Sequence, residues 1–231
     1  MKEYYIYEQT RLSKKIDLND TVILSKIQNI AGVDLAYWNK QGKEYAVCCI
    51  LVINYNTYEI IEKVNYIDEI NIPYIPGCLA YRELPVFLEA YKKLSCRPDV
   101  IFFDGNGYLH PRHMGLASHA GVILDAPTAG VAKTYYKINN TDFVMPGNTA
   151  GAYTDIIING EIYGRALRTH ADVKPVFLSV GNKISIDTVT KMTVRLTTRE
   201  SHIPMPTRLA DIMSHEERRK YALRSCAGNT V

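Results

Sequence analysis

The sequence predicts an α/β fold in which a mixed β-sheet is flanked by helices. Three candidate strands, over residues 30–38, 45–55 and 58–67, follow one another with only short polar turns between them. This order indicates an antiparallel meander. Beyond it, segments with helical and strand periodicity alternate, which is typical of parallel strands connected by helices. Together these observations indicate one mixed sheet covered by helices.

The remaining elements follow from the spacing of apolar residues. Residues 6–27 mix polar and apolar side chains at helical spacing, which predicts one or two helices packed on the outside of the sheet. Further helices are predicted over residues 79–94, 114–124, 185–196 and 207–222, and further strands over residues 100–104, 128–132, 163–169 and 175–180. Since no repeat or linker divides the chain, residues 1–231 are expected to form a single domain.

Composition narrows the class of protein. Hydrophobic residues make up 47% of the chain and charged residues 22%, as in ordinary soluble proteins. The net charge of 27 − 24 = +3 is compatible with nucleic acid but too weak to imply it. There is no membrane-spanning apolar run, and the polar N-terminus does not resemble a signal peptide. Five cysteines without a CxxC pair favour a reducing compartment, so we expect a cytoplasmic protein.

The segment from Asp99 to Lys133 carries the strongest chemical signal. An apolar run over residues 100–103 stops at Asp104-Gly105-Asn106-Gly107, which places an acid where the strand ends. Ligands bind at this edge of open α/β sheets, and glycines let the backbone approach them closely. The polar residues His110, Arg112, His113 and His119 follow. A carboxylate near imidazoles and a cation indicates a metal-assisted reaction on an anionic substrate.

Three acids are candidate metal ligands. Asp34 interrupts an apolar strand, Glu83 lies early in a predicted helix, and Asp104 ends the central strand. If the first strand and the Asp104 strand are neighbours, the two aspartates converge, and a helix above them can add Glu83. Such hard oxygen ligands suit Mg²⁺ or Mn²⁺. From spacing alone, a turn aspartate, a polar strand residue and a solvated helix glutamate remain open alternatives.

Several motifs, in order along most of the chain, resemble the endonuclease V family of deoxyinosine-specific nucleases. They are Ala31-Gly32-Val33-Asp34, Pro73-Tyr74-Ile75-Pro76-Gly77 with Tyr81-Arg82-Glu83, Asp104-Gly105-Asn106-Gly107 with His110-Pro111-Arg112, Gly115 with Ala117-Ser118-His119, Gly130-Val131-Ala132-Lys133, and Pro206-Thr207-Arg208. The resemblance implies a ribonuclease-H-like fold and Mg²⁺-dependent cleavage of a phosphodiester bond on the 3′ side of hypoxanthine. It also implies that Asp34, Glu83 and Asp104 bind the metal, and that Lys133 acts beside them.

A substrate-binding surface is expected around the two prolines of the second motif. Pro73 and Pro76 stiffen the backbone around Tyr74 and Ile75, so the segment can form a rigid tip that wedges into a base stack. A loop that merely packs on the core is the alternative. The further residues assigned to the substrate are Pro76, Gly77, Gly105, Gly107, His110, Arg112 and Gly115. Arg112 can contact a phosphate or form a surface salt bridge.

One position departs from the family pattern. The family commonly has Gly-His after its last core strand, whereas this chain has Gly181-Asn182. A histidine expected near the metal is therefore Asn182, whose amide can bind a metal or orient water but cannot transfer a proton. Asp187 is a possible substitute, although a first-turn helix acid is the simpler interpretation. His119 is as consistent with a buried core histidine as with a site residue.

Three functions remain open from the sequence. The first is a nuclease that acts on inosine in DNA, and possibly in RNA. The second is a catalytically impaired protein that binds inosine-bearing or damaged nucleic acid without cutting it. The third is a nuclease of the same fold that prefers mismatches, flaps or junctions. The intact acids and Lys133 favour the first function, and we expect a monomer.

Overall fold

Eight strands form one mixed sheet in the computed structural model, which describes residues 1–223. Their bounds are β1 Asn29–Lys40, β2 Lys43–Asn54, β3 Ile60–Glu69, β4 Val100–Asp104, β5 Thr128–Ala132, β6 Tyr153–Ile158, β7 Glu161–Leu167 and β8 Val176–Asn182. They lie in the order β3-β2-β1-β4-β5-β8-β7-β6. β1, β4 and β5 run parallel to one another at the centre, and the other neighbours are antiparallel.

Within residues 1–223, five α-helices accompany the sheet. They are α1 Lys2–Ser13, α2 Ala80–Lys92, α3 Leu116–Leu124, α4 Ile186–Leu196 and α5 Met205–Leu223. Apolar side chains of α4 and α5 pack with one sheet face, and those of α2 and α3 pack with the opposite face. None of the described helices is long and apolar enough to span a bilayer.

Alternation along the central strands determines which side chains can meet. Ile30 and Phe102 belong to the core that includes α4 and α5, whereas Val33 and Phe103 belong to the core of α2 and α3. Successive side chains of a strand point to opposite faces. Asp34, which follows Val33, and Asp104, which follows Phe103, therefore both lie on the α5 side of the sheet.

The predicted fold class is confirmed, and most predicted elements are present. The meander over β1, β2 and β3 has the predicted antiparallel pairing. The helical prediction for residues 6–27 is wrong beyond Ser13, where only a short 3-10 turn at Leu24–Lys26 occurs. Strand β6 was missed, because it is a sheet edge with a mixed exposure pattern and gives no clean alternation.

Gly32 lets α5 approach the centre of the sheet. A Cβ atom on Gly32 would lie 2.1 Å from the carbonyl carbon and oxygen of Pro206, at the start of α5. Real Cβ atoms do not come that close to backbone, so any side chain would push α5 away from β1. Close packing against α5 thus explains why a glycine is present in the Ala31-Gly32-Val33-Asp34 motif, two residues before the acid.

We expect Gly32→Ala to destabilise the protein by about 3 kcal/mol or more, because the backbone of α5 cannot move aside cheaply. Chemical denaturation measures the change in the free energy of unfolding. Gly147→Ala is the matched control, since its Cβ would meet nothing closer than 3.8 Å. Equal stability of the two variants would contradict the packing argument.

Candidate metal centre and substrate pocket

Three carboxylates converge where the central strands end. The parallel register pairs Val33 with Phe103, which brings the next residues, Asp34 and Asp104, side by side. Asp211 reaches the same point from α5. One oxygen from each of these three side chains lies within 4.8 Å of the others. The expected convergence of Asp34 and Asp104 is therefore present in the structure, with a third acid that was not expected.

Asp211 was missed by the sequence analysis, although its helix was predicted. It lies four residues after Thr207 and three before Ser214, and both of these neighbours are fully buried. Residues at this spacing share one helix face. An acid on the buried stripe of an otherwise charged helix is the signal that could have identified it.

Burial is the main cause of the altered acidity of this cluster. It raises the pKa of Asp34 to about 7, with a further upward contribution from the charges of Asp104 and Asp211. A hydrogen bond donated by the Ser214 hydroxyl acts in the opposite direction. Burial also raises the pKa of Asp104. The cluster therefore lacks the cationic charge that would keep all of its carboxylates ionised.

Lys133 supplies one positive charge to the cluster. Its Nζ lies 2.6 Å from Asp104 Oδ2 and 3.0 Å from Asp211 Oδ1. Burial acts to lower the pKa of Lys133, but its hydrogen bonds to these two acids outweigh burial and raise it. The lysine that follows β5 is thus in the acid cluster rather than in solvent.

Glu83 approaches the cluster from the other side of the sheet. It lies on α2, and the Tyr37 hydroxyl donates a 2.9 Å hydrogen bond to its Oε1. Burial raises the pKa of Glu83 to about 7, and the charges of Asp34 and Asp104 contribute in the same direction. Glu83 is not part of the group of three acids whose oxygens lie within 4.8 Å. It is a neighbour of that group, placed to add a ligand from the α2 face.

The donor set fits a hard divalent cation. All of its side chains are carboxylates, they are at least partly buried, and the pKa values of Asp34 and Glu83 are shifted upward. Oxygen ligands of this kind are those that Mg²⁺ and Mn²⁺ prefer. Converging, desolvated carboxylates are costly in the absence of a cation, so a cation site explains the arrangement.

A cavity of about 230 Å³ opens directly beside the acids. Glu83 and Asp104 form part of its wall, and the remaining wall includes Tyr74, Gly77, Asn106, His110, Met114, Gly115 and Tyr136. The Oδ1 atom of Asn106 is buried without a hydrogen-bond partner. Buried polar atoms are normally paired, so this unpaired oxygen in a cavity-lining residue is an exception.

The expected rigid tip borders the cavity. Tyr74 is 63% exposed, Ile75 is half-buried and Pro76 is exposed. The Cys78 amide donates to the Ile75 carbonyl at 2.9 Å, which closes a turn. Gly77 has a φ of +74°, a conformation that favours glycine. Tyr74 therefore projects beside the cavity instead of packing into the core.

His110 lines the cavity, and together with Arg112 it also contacts the carbonyl oxygen of Gly77. Nη2 of Arg112 donates to the Gly77 carbonyl at 2.6 Å, and Nε2 of His110 lies 3.0 Å from the same oxygen. The Arg112 amide donates to Nδ1 of His110. Burial lowers the pKa of His110 to about 4, so the ring is neutral. Arg112 forms hydrogen bonds to Gln9 and Gly77 rather than a salt bridge, and its contact with a phosphate stays a prediction.

Of the four glycines expected at the substrate, Gly77 is described above, and the other three lie in different places. Gly105 and Gly115 line the cavity. Gly107 is buried instead, with its amide donating to Ser179 Oγ at 2.8 Å, and a Cβ there would lie 2.2 Å from the Val180 carbonyl. The structure therefore explains Gly107 by close packing against β8.

Asn182 is not near the acids, which corrects the expectation for this position. β8 runs antiparallel to β5, so Asn182 is paired with Thr128, at the opposite end of β5 from Lys133. Its amide oxygen accepts from the Asp17 amide, and its nitrogen donates to the Gly121 carbonyl. Asn182 is thus a buried connector between segments of the fold.

Asp187 and His119 are likewise engaged outside the acid cluster. Asp187 forms an ion pair with Arg165 at 2.8 Å in the first turn of α4. His119 packs edge-on against Tyr81 with ring centroids 5.0 Å apart, and burial lowers its pKa to about 4. The core interpretation of His119 agrees with this position.

A cationic group near Lys133 was also missed. Thr169 Oγ1 donates to the His202 carbonyl at 2.9 Å, which brings the 169–170 segment to the start of α5. Burial lowers the pKa of His202, and the charges of His170, Lys133 and Arg208 lower it further. Arg208 lies one turn before Asp211 on α5. The residues come from separate segments, so their proximity could not be seen in the sequence.

The fold and site define a class: a ribonuclease-H-like hydrolase with carboxylates gathered where parallel strands end. Comparison with known proteins gives the family, since the endonuclease V family model matches residues 10–212. Endonuclease V of Bacillus thuringiensis subsp. konkukian is 55% identical over 212 residues, which cover 92% of this chain and 90% of that protein. The chain belongs to the endonuclease V family, and it is a nuclease.

Solved structures agree with this assignment. The crystal structure of the Bacillus subtilis endonuclease V has a TM-score of 0.94 and 51% identity, and the match covers 97% of this chain and 94% of that one. The Ciona intestinalis endonuclease V, in complex with a 24mer DNA containing an inosine followed by a ribo-adenosine, has a TM-score of 0.84 and 30% identity. That match covers 95% of this chain and 98% of the Ciona chain.

Asp34 is expected to make the metal-free protein less stable as the pH rises. Its folded pKa of about 7 lies above the ordinary value of 3.8, so its stabilising contribution is complete below pH 4 and is lost through pH 7. Asn cannot ionise. With a chelator present, the free energy of unfolding of Asp34→Asn minus that of the wild type should therefore increase by about 2 kcal/mol from pH 5 to pH 8.

Denaturation curves at the two pH values measure this difference. Asp142→Asn is the control, because Asp142 is an exposed acid paired with Lys137. A pH-independent difference between Asp34→Asn and wild type would contradict a raised pKa.

Proposed function

We propose that the protein recognises inosine in nucleic acid and hydrolyses a phosphodiester bond on its 3′ side, in the repair of deaminated adenine. The observation that carries this proposal is that the metal-binding cluster and the substrate cavity share a residue. Asp104 belongs to the carboxylate cluster and also lines the adjoining cavity. A base held in that cavity would present a nearby phosphate of its strand to the acids. The inosine-containing DNA bound by the Ciona relative supports this substrate.

Asp34, Asp104 and Asp211, with Glu83 beside them, are the residues that would hold the metal, for which we propose Mg²⁺ with Mn²⁺ as a substitute. A bound divalent cation supplies Lewis acidity, which polarises a phosphoryl oxygen and promotes ionisation of water. The acids hold the cation only when deprotonated, so binding releases the protons of Asp34 and Glu83. We propose catalytic roles for these acids and for Lys133.

Lys133 would offset charge on the phosphate. Its Nζ is held between Asp104 and Asp211, so it would lie beside a phosphate bound at the acid cluster. Phosphoryl transfer builds negative charge on the leaving oxygen, and a fixed ammonium group stabilises that charge. Arg208 extends the cationic surface from Lys133 along the start of α5, close to His202, whose pKa is lowered by burial and by both charges.

The cavity and the tip would act on the base. The reading edge of hypoxanthine is hidden in a duplex, so the base must leave the stack at a cost of a few kcal/mol. Tyr74, exposed beside the cavity, is placed to fill the gap left in the stack. His110, Gly105 and Gly115 then line the space that receives the base.

The alternative of a non-cutting binder depended on Asn182 replacing a catalytic histidine. Asn182 lies at the far end of β5 from Lys133, so this argument no longer applies. We further propose a single-domain, monomeric protein acting on DNA and possibly on RNA. The one continuous sheet supports the single domain. A cytoplasmic location is supported by the free state of Cys48, Cys49, Cys78 and Cys96, while Cys226 lies outside the described residues.

A labelled strand with a single inosine, incubated with Mg²⁺, should be cut once on the 3′ side of the inosine. Asp104→Asn should slow cleavage at least about a hundredfold, because it weakens a cation site worth several kcal/mol in the transition state. Asp142→Asn, an exposed acid, is the control and should cleave normally. Tight binding without product at any Mg²⁺ or Mn²⁺ concentration would contradict the proposed activity, and equal cleavage of mismatches or flaps would contradict the preference for inosine.

Arg208→Ala should weaken binding of inosine-containing DNA and reduce its salt dependence. A lost phosphate contact lowers the slope of log Kd against log salt by about 0.9. Binding is measured by fluorescence anisotropy at several salt concentrations, with Ca²⁺ in place of Mg²⁺. Lys63→Ala, on the exposed edge strand β3, is the matched charge control. An unchanged slope for Arg208→Ala would show that this surface does not contact phosphate.

A further inference from the structure

The N-terminal helix α1 is fastened to the substrate cavity by one buried side chain. Gln9 is fully buried, and it is the residue of α1 that is buried among the tyrosines and charged side chains of this helix. A buried amide is costly unless all of its polar atoms are paired. The hydrogen-bond partners of Gln9 therefore indicate its structural role.

Both acceptors of the Gln9 amide nitrogen are carbonyl groups of residues that line the cavity. Nε2 lies 3.0 Å from the Gly77 carbonyl and 3.3 Å from the Met114 carbonyl. Gly77 and Met114 belong to separate segments, and both line the 230 Å³ cavity. One NH₂ group thus connects the turn that carries the tip to the segment that begins α3.

The oxygen of the same amide completes a closed network. Arg112 donates from Nε to Gln9 Oε1 at 2.7 Å and from Nη2 to the Gly77 carbonyl at 2.6 Å. His110 contacts that carbonyl as well, at 3.0 Å. The Gly77 carbonyl is therefore surrounded by three side-chain donors. Few backbone oxygens need such support, and this one follows Pro76 at the base of the tip.

We propose that Gln9, acting with Arg112, is a positioning residue that fixes the distance between the Gly77 and Met114 walls and so shapes the cavity for the inosine base. This proposal rests on the proposed function. Gln9 contacts neither the acids nor the cavity interior, so its effect is on how the base is held. Removing it should leave the metal cluster intact while the tip and turn become mobile.

Gln9→Leu tests the proposal, because leucine fills a similar volume without any hydrogen bond. The turn over residues 74–79 should then exchange its amide hydrogens about tenfold faster, and KM for the inosine strand should rise about tenfold with a much smaller change in kcat. Mn²⁺ affinity should not change. Thr10→Ala, at an exposed neighbouring position on α1, should match wild type in every measurement.

A purely structural role for Gln9 predicts a different outcome. Tyr5 stacks on Tyr81 with ring centroids 3.9 Å apart, so Tyr5→Leu weakens the packing of α1 without removing a hydrogen bond from the cavity. It should lower Tm and leave KM nearly unchanged. If Gln9→Leu behaved like Tyr5→Leu, with a lower Tm but normal KM and normal exchange at residues 74–79, the proposal would be overturned.

A double-mutant cycle examines the network itself. If Gln9 and Arg112 act together, Gln9→Leu combined with Arg112→Lys should raise KM little more than the stronger single variant. Multiplicative effects would overturn the shared network. The exchange measurement needs no substrate, so it still tests the connection if the wild type fails to cut inosine strands, which would contradict the proposed function alone.

Discussion

The costly convergence of carboxylates where β1 and β4 end is the constraint on which the rest of the structure depends. Asp34, Asp104 and Asp211 present oxygens within 4.8 Å of one another in a partly buried place, where like charges repel strongly. Such an arrangement is retained only if other groups oppose the repulsion. Lys133 provides a fixed positive charge, and Ser214 donates a hydrogen bond to Asp34. Gly32 allows α5 to come close enough to deliver Asp211 at all.

The same strand end serves two purposes. Asp104 belongs to the acid cluster, and the residues directly after it form a wall of the neighbouring cavity. Recognition of a base and attack on its strand are therefore linked by a few backbone bonds on a rigid sheet. The opposite wall of the cavity, which contains Gly77, is not supported by a strand, because it lies in a turn, after two prolines. There the buried contacts of Gln9, His110 and Arg112 with one carbonyl replace the rigidity that a strand would supply.

The sequence was sufficient for features that depend on local periodicity. Strand periodicity predicted that Asp34 and Asp104 meet if their strands are neighbours, and the motifs identified the family. The sequence was insufficient where the outcome depends on the direction of a strand or on the close approach of a helix to the sheet. Asp211 required knowing that α5 lies against Gly32, and Asn182 was misplaced because β8 runs antiparallel to β5. The hydrogen bonds of Arg112 to the Gly77 carbonyl and to Gln9 were not foreseen, because a sequence shows a charge but not its partners in the fold.

Charge balance connects the metal-free and metal-bound forms. Three ionised aspartates carry −3 and Lys133 carries +1, so the cluster needs two more positive charges. Without a cation, protonation of Asp34 supplies part of this charge, in line with its raised pKa, and protonation of the neighbouring Glu83 removes a further negative charge. A divalent cation supplies it in full and displaces those protons. Because protons and the cation compete for the same carboxylates, metal affinity should rise as the pH approaches 7, while Lys133 remains part of the charge balance beside Asp104 and Asp211.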